Sequence, residues 1–308
     1  MRRALVLFAV ASALAACVRS APPASPMLAA PPAEAPTPAP QKTRPQLPMG
    51  GREIFPSHRL VGFCGTPGAP ALGKLRGNLS QRAAELATYA KKYENGRKVL
   101  PVFELIAVVV QGIAGPDGKY RRRVPESVID AYLKAAREAK ALLLLNVQPG
   151  HSDFMTEVKL FERFLREPDV GIALDPEWAM KPKQKPGVYY GQSNGPTVNE
   201  VAEYMSKLVK EHDLPEKALV FHQMNDYVFK DDAALKEFPG VVLIKSVDGL
   251  GPKAAKIVTY KFLMKTTPPI VHAGFKLFFD EDTQRGSKLM TPDEVLALSP
   301  EPEYVMYE

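Results

Sequence analysis

The chain has 308 residues, of which 45% are hydrophobic, with 30 prolines, 40 Lys plus Arg against 34 Asp plus Glu, and a formal net charge of +6. That charge is unevenly placed: residues 1–50 hold Arg2, Arg3, Arg19, Lys42 and Arg44 against Glu34 alone, which leaves a net +2 over residues 51–308. A near-neutral body excludes the dense basic face that nucleic-acid binding requires, and two cysteines exclude a four-cysteine zinc site or a disulfide framework.

Residues 1–17 read MRRALVLFAVASALAAC, with Arg2 and Arg3 ahead of a short apolar run and Leu14-Ala15-Ala16-Cys17 at its end. The run is too short to cross a bilayer and has the flanks of a signal peptide. LAAC resembles the lipobox of bacterial lipoproteins. The resemblance implies cleavage before Cys17 and lipidation of that cysteine, and several acyl chains on one residue anchor a protein stably. Val18 follows rather than Asp, which in a Gram-negative source implies the outer membrane, and otherwise the cell surface. Residues 18–50 are dominated by Pro and Ala without an apolar period. They are predicted to form a disordered, extended linker of about 3.1 Å per residue. With Cys17 assigned to lipid, Cys64 is left alone and reads as a small buried residue.

Residues 51–308 alternate apolar runs with amphipathic stretches. Strands are predicted at Leu60–Cys64, Val99–Leu105, Leu142–Val147, Gly171–Leu174, Ala218–Phe221, Val241–Val247, Gly274–Phe279 and Tyr304–Tyr307. Helices are predicted at Leu79–Tyr93 after Asn78, Glu126–Lys140 with Pro125 at its first position, and Ser152 or Asp153 to Arg166. The remaining ones are Asn199–Glu211, Asp231–Glu237, Lys253–Met264 and Pro292–Leu298. Eight strands with seven intervening helices predict a single α/β domain, a (β/α)8 barrel of the TIM type. The usual eighth helix is expected to be missing or replaced by the segment before Leu60. Gly65-Thr66-Pro67-Gly68 has the wrong residues and spacing for a dinucleotide-binding loop.

In such a barrel the residues that end the strands face one mouth. Here they are mostly polar: Cys64, Glu104, Asn146 with Gln148, Asp175 with Glu177, His222 with Gln223, Asp248, Asp280-Glu281-Asp282 and Glu308. Val170-Gly171-Ile172-Ala173-Leu174-Asp175-Pro176-Glu177-Trp178 is the densest case. Two carboxylates at i and i+2 would share a strand face, and the only tryptophan follows. Glu104, flanked by apolar residues, is read either as a pocket acid of raised pKa or as a partner for Lys245 or Lys276. Trp178 and Tyr190 supply flat surfaces for a sugar ring, and Gln148, His222, Gln223 and Asp248 complete the expected binding residues. Arg121-Arg122-Arg123 reads as a solvated loop. No H-x-H, H-E-x-x-H or Asp–His arrangement points to zinc, and no G-x-S-x-G turn is present. Asp280-Glu281-Asp282 offers oxygen ligands for Ca²⁺ or Mg²⁺ as an alternative but lacks the EF-hand spacing, so neither metal nor cofactor is expected.

The Asp175-x-Glu177 pair resembles the end of the acidic motif of family 18 chitinase-like glycoside hydrolases and the shorter acidic pair of family 25 muramidases. Gly171-Ile172-Ala173 stands where chitinases carry further acids. The domain is also similar to retaining barrel glycosidases with acids at strands four and seven, with Pro176 in place of their usual Asn. It further resembles secreted bacterial barrel proteins of unassigned activity that share a Gly-Thr-Pro-Gly-like segment and Asp-Pro-Glu-Trp. These resemblances imply carboxylate acid/base hydrolysis of a cell-envelope or extracellular polysaccharide. Glu177 would be the acid assisted by Asp175, and Asp280 or Asp282 the nucleophile or base. A non-catalytic lipoprotein that holds a glycan or peptide is the alternative.

Overall fold

The computed structural model describes residues 44–308; the signal-like segment, Cys17 and residues 18–43 lie outside the described residues. Eight parallel strands form a closed ring: β1 (His58–Gly65), β2 (Lys98–Val110), β3 (Leu142–Val147), β4 (Val170–Leu174), β5 (Lys217–Gln223), β6 (Val241–Val247), β7 (Val271–Leu277) and β8 (Tyr304–Tyr307). Closure is direct, since Leu60 of β1 is in register with Leu100 of β2 on one side and Tyr304 of β8 on the other. The predicted barrel and all eight predicted strands are present.

Period-two alternation divides each strand between two cores. Leu60, Val102, Leu144, Val220, Ile244 and Met306 belong to a cluster inside the ring. Their neighbours Phe63, Phe103, Leu145, Phe221 and Val305 join the larger cluster beneath the helices. The interior is tight: a Cβ on Gly62 would stand 2.6 Å from Met306 Cε and from the Val102 carbonyl. Leu47, Ile54 and Phe55 extend the inner cluster below the strands. Phe55 stacks on His272 at 4.1 Å, the Ile54 N–H donates to Glu216 at 2.7 Å, and Arg52 donates to the Leu214 carbonyl at 2.8 Å. The segment before β1 therefore closes the barrel floor as irregular chain rather than as a helix. Leu47, within the stretch read as linker, is buried there.

The outer layer holds α1 (Leu79–Ala90), α2 (Glu126–Glu138), α3 (Phe154–Lys159), α4 (Glu162–Leu165), α5 (Gly195–Glu211), α6 (Lys253–Met264) and α7 (Pro292–Leu296). Asn78 caps α1 by accepting from the Gln81 N–H, and Asp153 caps α3 by accepting from the Thr156 N–H. The single helix expected to run to Arg166 is two, because Phe161 leaves helical geometry. Pro125 is the N-cap of α2 rather than its first residue. α5, capped by Asn194, begins at Gly195, four residues ahead of the expected start. Asp231–Glu237 is no α-helix: Asp231 is left-handed and Leu235 extended, so only a 3-10 turn, Asp232–Ala234, fits between them.

Two basic features also differ from expectation. Arg121–Arg123 is not a loop but a short strand antiparallel to the end of β2. Arg121 and Arg123 donate to the two oxygens of Glu157 at 2.8 and 2.6 Å. Lys245 points away from the barrel interior to Asp232, at 2.8 Å, so it cannot partner Glu104. Glu157 is fully buried and Arg121 nearly so, and removing one member of such a pair strands the other's charge. Glu157→Ala should lower stability by about 2–3 kcal/mol, below the full cost of a buried pair because Arg123 reaches water. A urea midpoint shift at constant slope reports this; a shift under about 0.5 kcal/mol would show the arginines to be solvated.

Candidate functional site

All eight strands run the same way, so their C-terminal ends open on one face. In the upper barrel the inward positions turn from aliphatic to polar, and the polar groups are bonded to one another. Glu104 is fully buried. Its Oε2 accepts from the Tyr304 hydroxyl, and its Oε1 from Asn146 Nδ2 at 3.0 Å. The same amide donates to Asp175 Oδ1 at 2.9 Å, and Gln148 Nε2 donates to Asp175 Oδ2 at 2.9 Å. His222 lies opposite. Its Nδ1 is 2.7 Å from Asp248 Oδ2; its Nε2 is 3.2 Å from Glu104 Oε1 and 3.9 Å from Asp175 Oδ1, without hydrogen-bond alignment to either. Ser246 Oγ donates to Asp248 Oδ1 at 2.7 Å. Lys276 Nζ is 3.6 Å from Asp248 and 2.7 Å from Glu308.

These partners sort the acids by protonation. Burial works to raise the Glu104 pKa, but His222, Lys276 and the Tyr304 hydroxyl outweigh it and hold the group at about 2. It is an ionised pocket acid, against the expectation of a raised pKa. Asp248 is likewise held below the usual range, its burial outweighed by His222 and Lys276. Burial disfavours a charged His222, yet Asp248 and Glu104 raise it well above 6.5, so it is an imidazolium at neutral pH. Lys276, also opposed by burial, is held cationic chiefly by Glu308. Asp175 is raised by burial against the pull of His222 and Lys276. Glu177 is pushed well above the carboxylate range by burial, then by Asp175 and Asp248. Burial pushes the Cys64 thiol well up, which removes it as a nucleophile and fits a buried structural residue.

Glu177 sits beyond the strand. β4 ends at Leu174, and Pro176–Trp178 forms a 3-10 turn, so the turn rather than strand alternation brings Asp175 and Glu177 together. Both line a cavity of 210 Å³ with Gln148, Trp178, Asp248 and Lys276. Glu177 Oε2 is shielded from solvent and has no hydrogen-bond partner. Trp178 and Tyr190 pack edge to face with ring centroids 6.3 Å apart, and both rings line the cavity.

The acids of the β7 loop behave otherwise. Asp282 lies 3.0 Å from Lys256 Nζ and accepts from the N–H groups of Phe278 and Gly251, so it ties two loops together. Asp280 is exposed and lies outside the cavity, to which Glu281 alone of that triplet contributes. Gln223 is buried and donates to the Asn225 carbonyl, also outside the cavity lining. His151 donates from Nε2 to the Gln184 carbonyl, 2.7 Å away, and serves the loop. Ser246 and Tyr304 were not among the expected site residues; each is a polar interruption of a buried apolar strand, which was the available signal. The His222–Asp248 pair also went unread, because neighbouring strands six and five join residues far apart in sequence. Among the described residues, no three His, Cys, Asp or Glu side chains are arranged to hold a metal ion.

Because the imidazolium state of His222 depends on two carboxylates, Glu104→Gln should make its ring titrate at lower pH than in the unaltered protein. Histidine NMR titration reads this. A raised folded-state pKa stabilises the protein below the unfolded value of about 6.5, and that contribution is lost as pH rises through the folded value. An unmoved His222 titration in the variant would separate the two groups electrostatically.

No protein-family model matches this chain, and no curated protein aligns with it significantly, so its site is read from its own geometry.

Proposed function

We propose that the protein hydrolyses a glycosidic bond in a cell-envelope or extracellular polysaccharide, with Glu177 as the general acid. The observation that carries this reading is that Glu177, unpartnered and with its proton affinity raised by burial, and Asp248, held below the usual carboxylate range by His222 and Lys276, line one cavity. Glycoside cleavage needs two carboxyl groups held in opposite protonation states. Glu177 protonates the leaving oxygen. Asp248, ionised beside His222 and Lys276, supplies negative charge to the developing oxocarbenium ion or takes the proton of the attacking water. Trp178 and Tyr190 offer the apolar face against which a sugar ring stacks. The role first expected of Asp280 or Asp282 passes to Asp248, since Asp282 is consumed by Lys256 and Asp280 lies outside the cavity.

Incubation of the purified protein with peptidoglycan and exopolysaccharides, read as new reducing ends, tests the reading. Glu177→Gln should lower turnover by at least about 10²-fold, the lower end of general acid–base catalysis, with unchanged thermal unfolding. In the unaltered protein the rate should fall as pH rises through the Glu177 titration. Glycan binding without new reducing ends would assign the non-catalytic role instead.

The same reading places the domain on a lipid anchor at Cys17 in the cell envelope, supported by Leu14-Ala15-Ala16-Cys17. No helix among the described residues is long and apolar enough to cross a membrane. Cys17→Ser should move the protein from the detergent phase to the aqueous phase on Triton X-114 partition; retention in the detergent phase would exclude this anchor.

A further inference from the structure

The 210 Å³ cavity is flanked on both sides by depressions that share its walls. One, of 230 Å³, is separated from it by Trp178 and Tyr190, which line both, and continues onto Val188 and Tyr189. The other, of 240 Å³, shares Glu281 and Glu308 with it and continues onto Lys74, Arg76 and Asp280. The order of strands fixes where these lie. The first belongs to the loop after β4, and the second to the loops after β1 and β7 and the end of β8. In the ring β4 and β8 are four positions apart in either direction, so the three depressions follow a diameter of the barrel mouth with Glu177 in the middle one.

The aromatic end is held in place. The Gly191 N–H donates to the Glu177 carbonyl at 2.6 Å, and the Gln192 N–H to the Ala179 carbonyl at 3.0 Å. A Cβ on Gly191 would come 2.2 Å from the Ala179 carbonyl oxygen, so the backbones touch and glycine is required. His151 reaches the Gln184 carbonyl further along the same loop. Tyr190 is thereby tied through one residue to Glu177, while Val188 and Tyr189 stay 66% and 55% exposed. Large apolar side chains held open to solvent beside a polar cavity mark a contact surface.

We infer that these three depressions are consecutive subsites of a cleft for a linear glycan of at least three units. The inference rests on the glycosidase reading of Glu177 and adds the form of the substrate. Three depressions in series that share lining residues suit a chain of repeating units. Aromatic rings at one end and hydroxyl-bonding charged groups at the other give the chain a direction.

Calorimetric titration of full-length protein carrying Glu177→Gln with oligosaccharides of one to six units, from chitin, chitosan, β-1,4-glucan and peptidoglycan glycan strands, tests this. In the preferred series, affinity should rise at least tenfold between one and three units. Tyr189→Ala, a surface change, should remove most of that increment while leaving single-unit affinity within about twofold. Equal affinity for one and three units would overturn the cleft and leave the glycosidase reading standing. Failure of every series to bind, with no cleavage by the unaltered protein, would sink both readings. A preference for a peptidoglycan stem peptide over all glycans would do the same.

Discussion

The structure turns on how charge is compensated inside the barrel. Glu104, His222, Asp248, Lys276 and Glu308 form a chain of alternating sign, each member within 3.6 Å of the next. Taking any one of these charges from water alone is costly, and the chain tolerates burial because every charge has an opposite neighbour. Two cations serve five carboxyl groups in this region, however. Glu104, Asp248 and Glu308 take up the contacts with them, while burial raises the proton affinity of Asp175 and, further, of Glu177. An acid of raised proton affinity is therefore a consequence of the ion-pair arithmetic rather than a separate device.

The arrangement stands on an apolar floor. Leu47, Ile54 and Phe55 are buried at the lower end and belong to the same cluster as the aliphatic interior above them. Asn146 then sets the geometry of the middle layer. One amide nitrogen serves Glu104 and Asp175 together, which fixes the spacing of an ionised and a raised carboxyl group. Groups so tethered present preorganised charge to a reacting bond instead of reorienting during the reaction.

Loops carry the rest. The barrel delivers Asp175 to the mouth, but the 3-10 turn and the Gly191–Ala179 backbone contact carry Glu177, Trp178 and Tyr190 over the cavity. Asp282 shows the opposite use of a loop acid: with Lys256 it joins the β7 loop to Gly251 of the β6 loop. Division of labour between a fixed barrel and variable loops is the general property of this fold.

The alternation of apolar runs and amphipathic stretches determined the barrel by itself, since strands buried on both faces and helices with one apolar stripe have different periods. The polar residues ending those runs were visible for the same reason, and Glu104, Gln148, Asp175, Glu177, His222 and Asp248 do converge. Irregular backbone was not legible: Leu160–Phe161, the left-handed Asp231 and the arginine strand depend on neighbours distant in sequence. Pairing was decided only in three dimensions. Asp280 and Asp282 repeat the i, i+2 carboxylate spacing of Asp175 and Glu177 beyond a strand end, yet Lys256 from the next helix over pairs with Asp282 and the loop turns Asp280 outward. A carboxylate's chemistry is set by the charges and solvent within a few ångströms of it, and those are assembled by chain segments that sequence order keeps far apart.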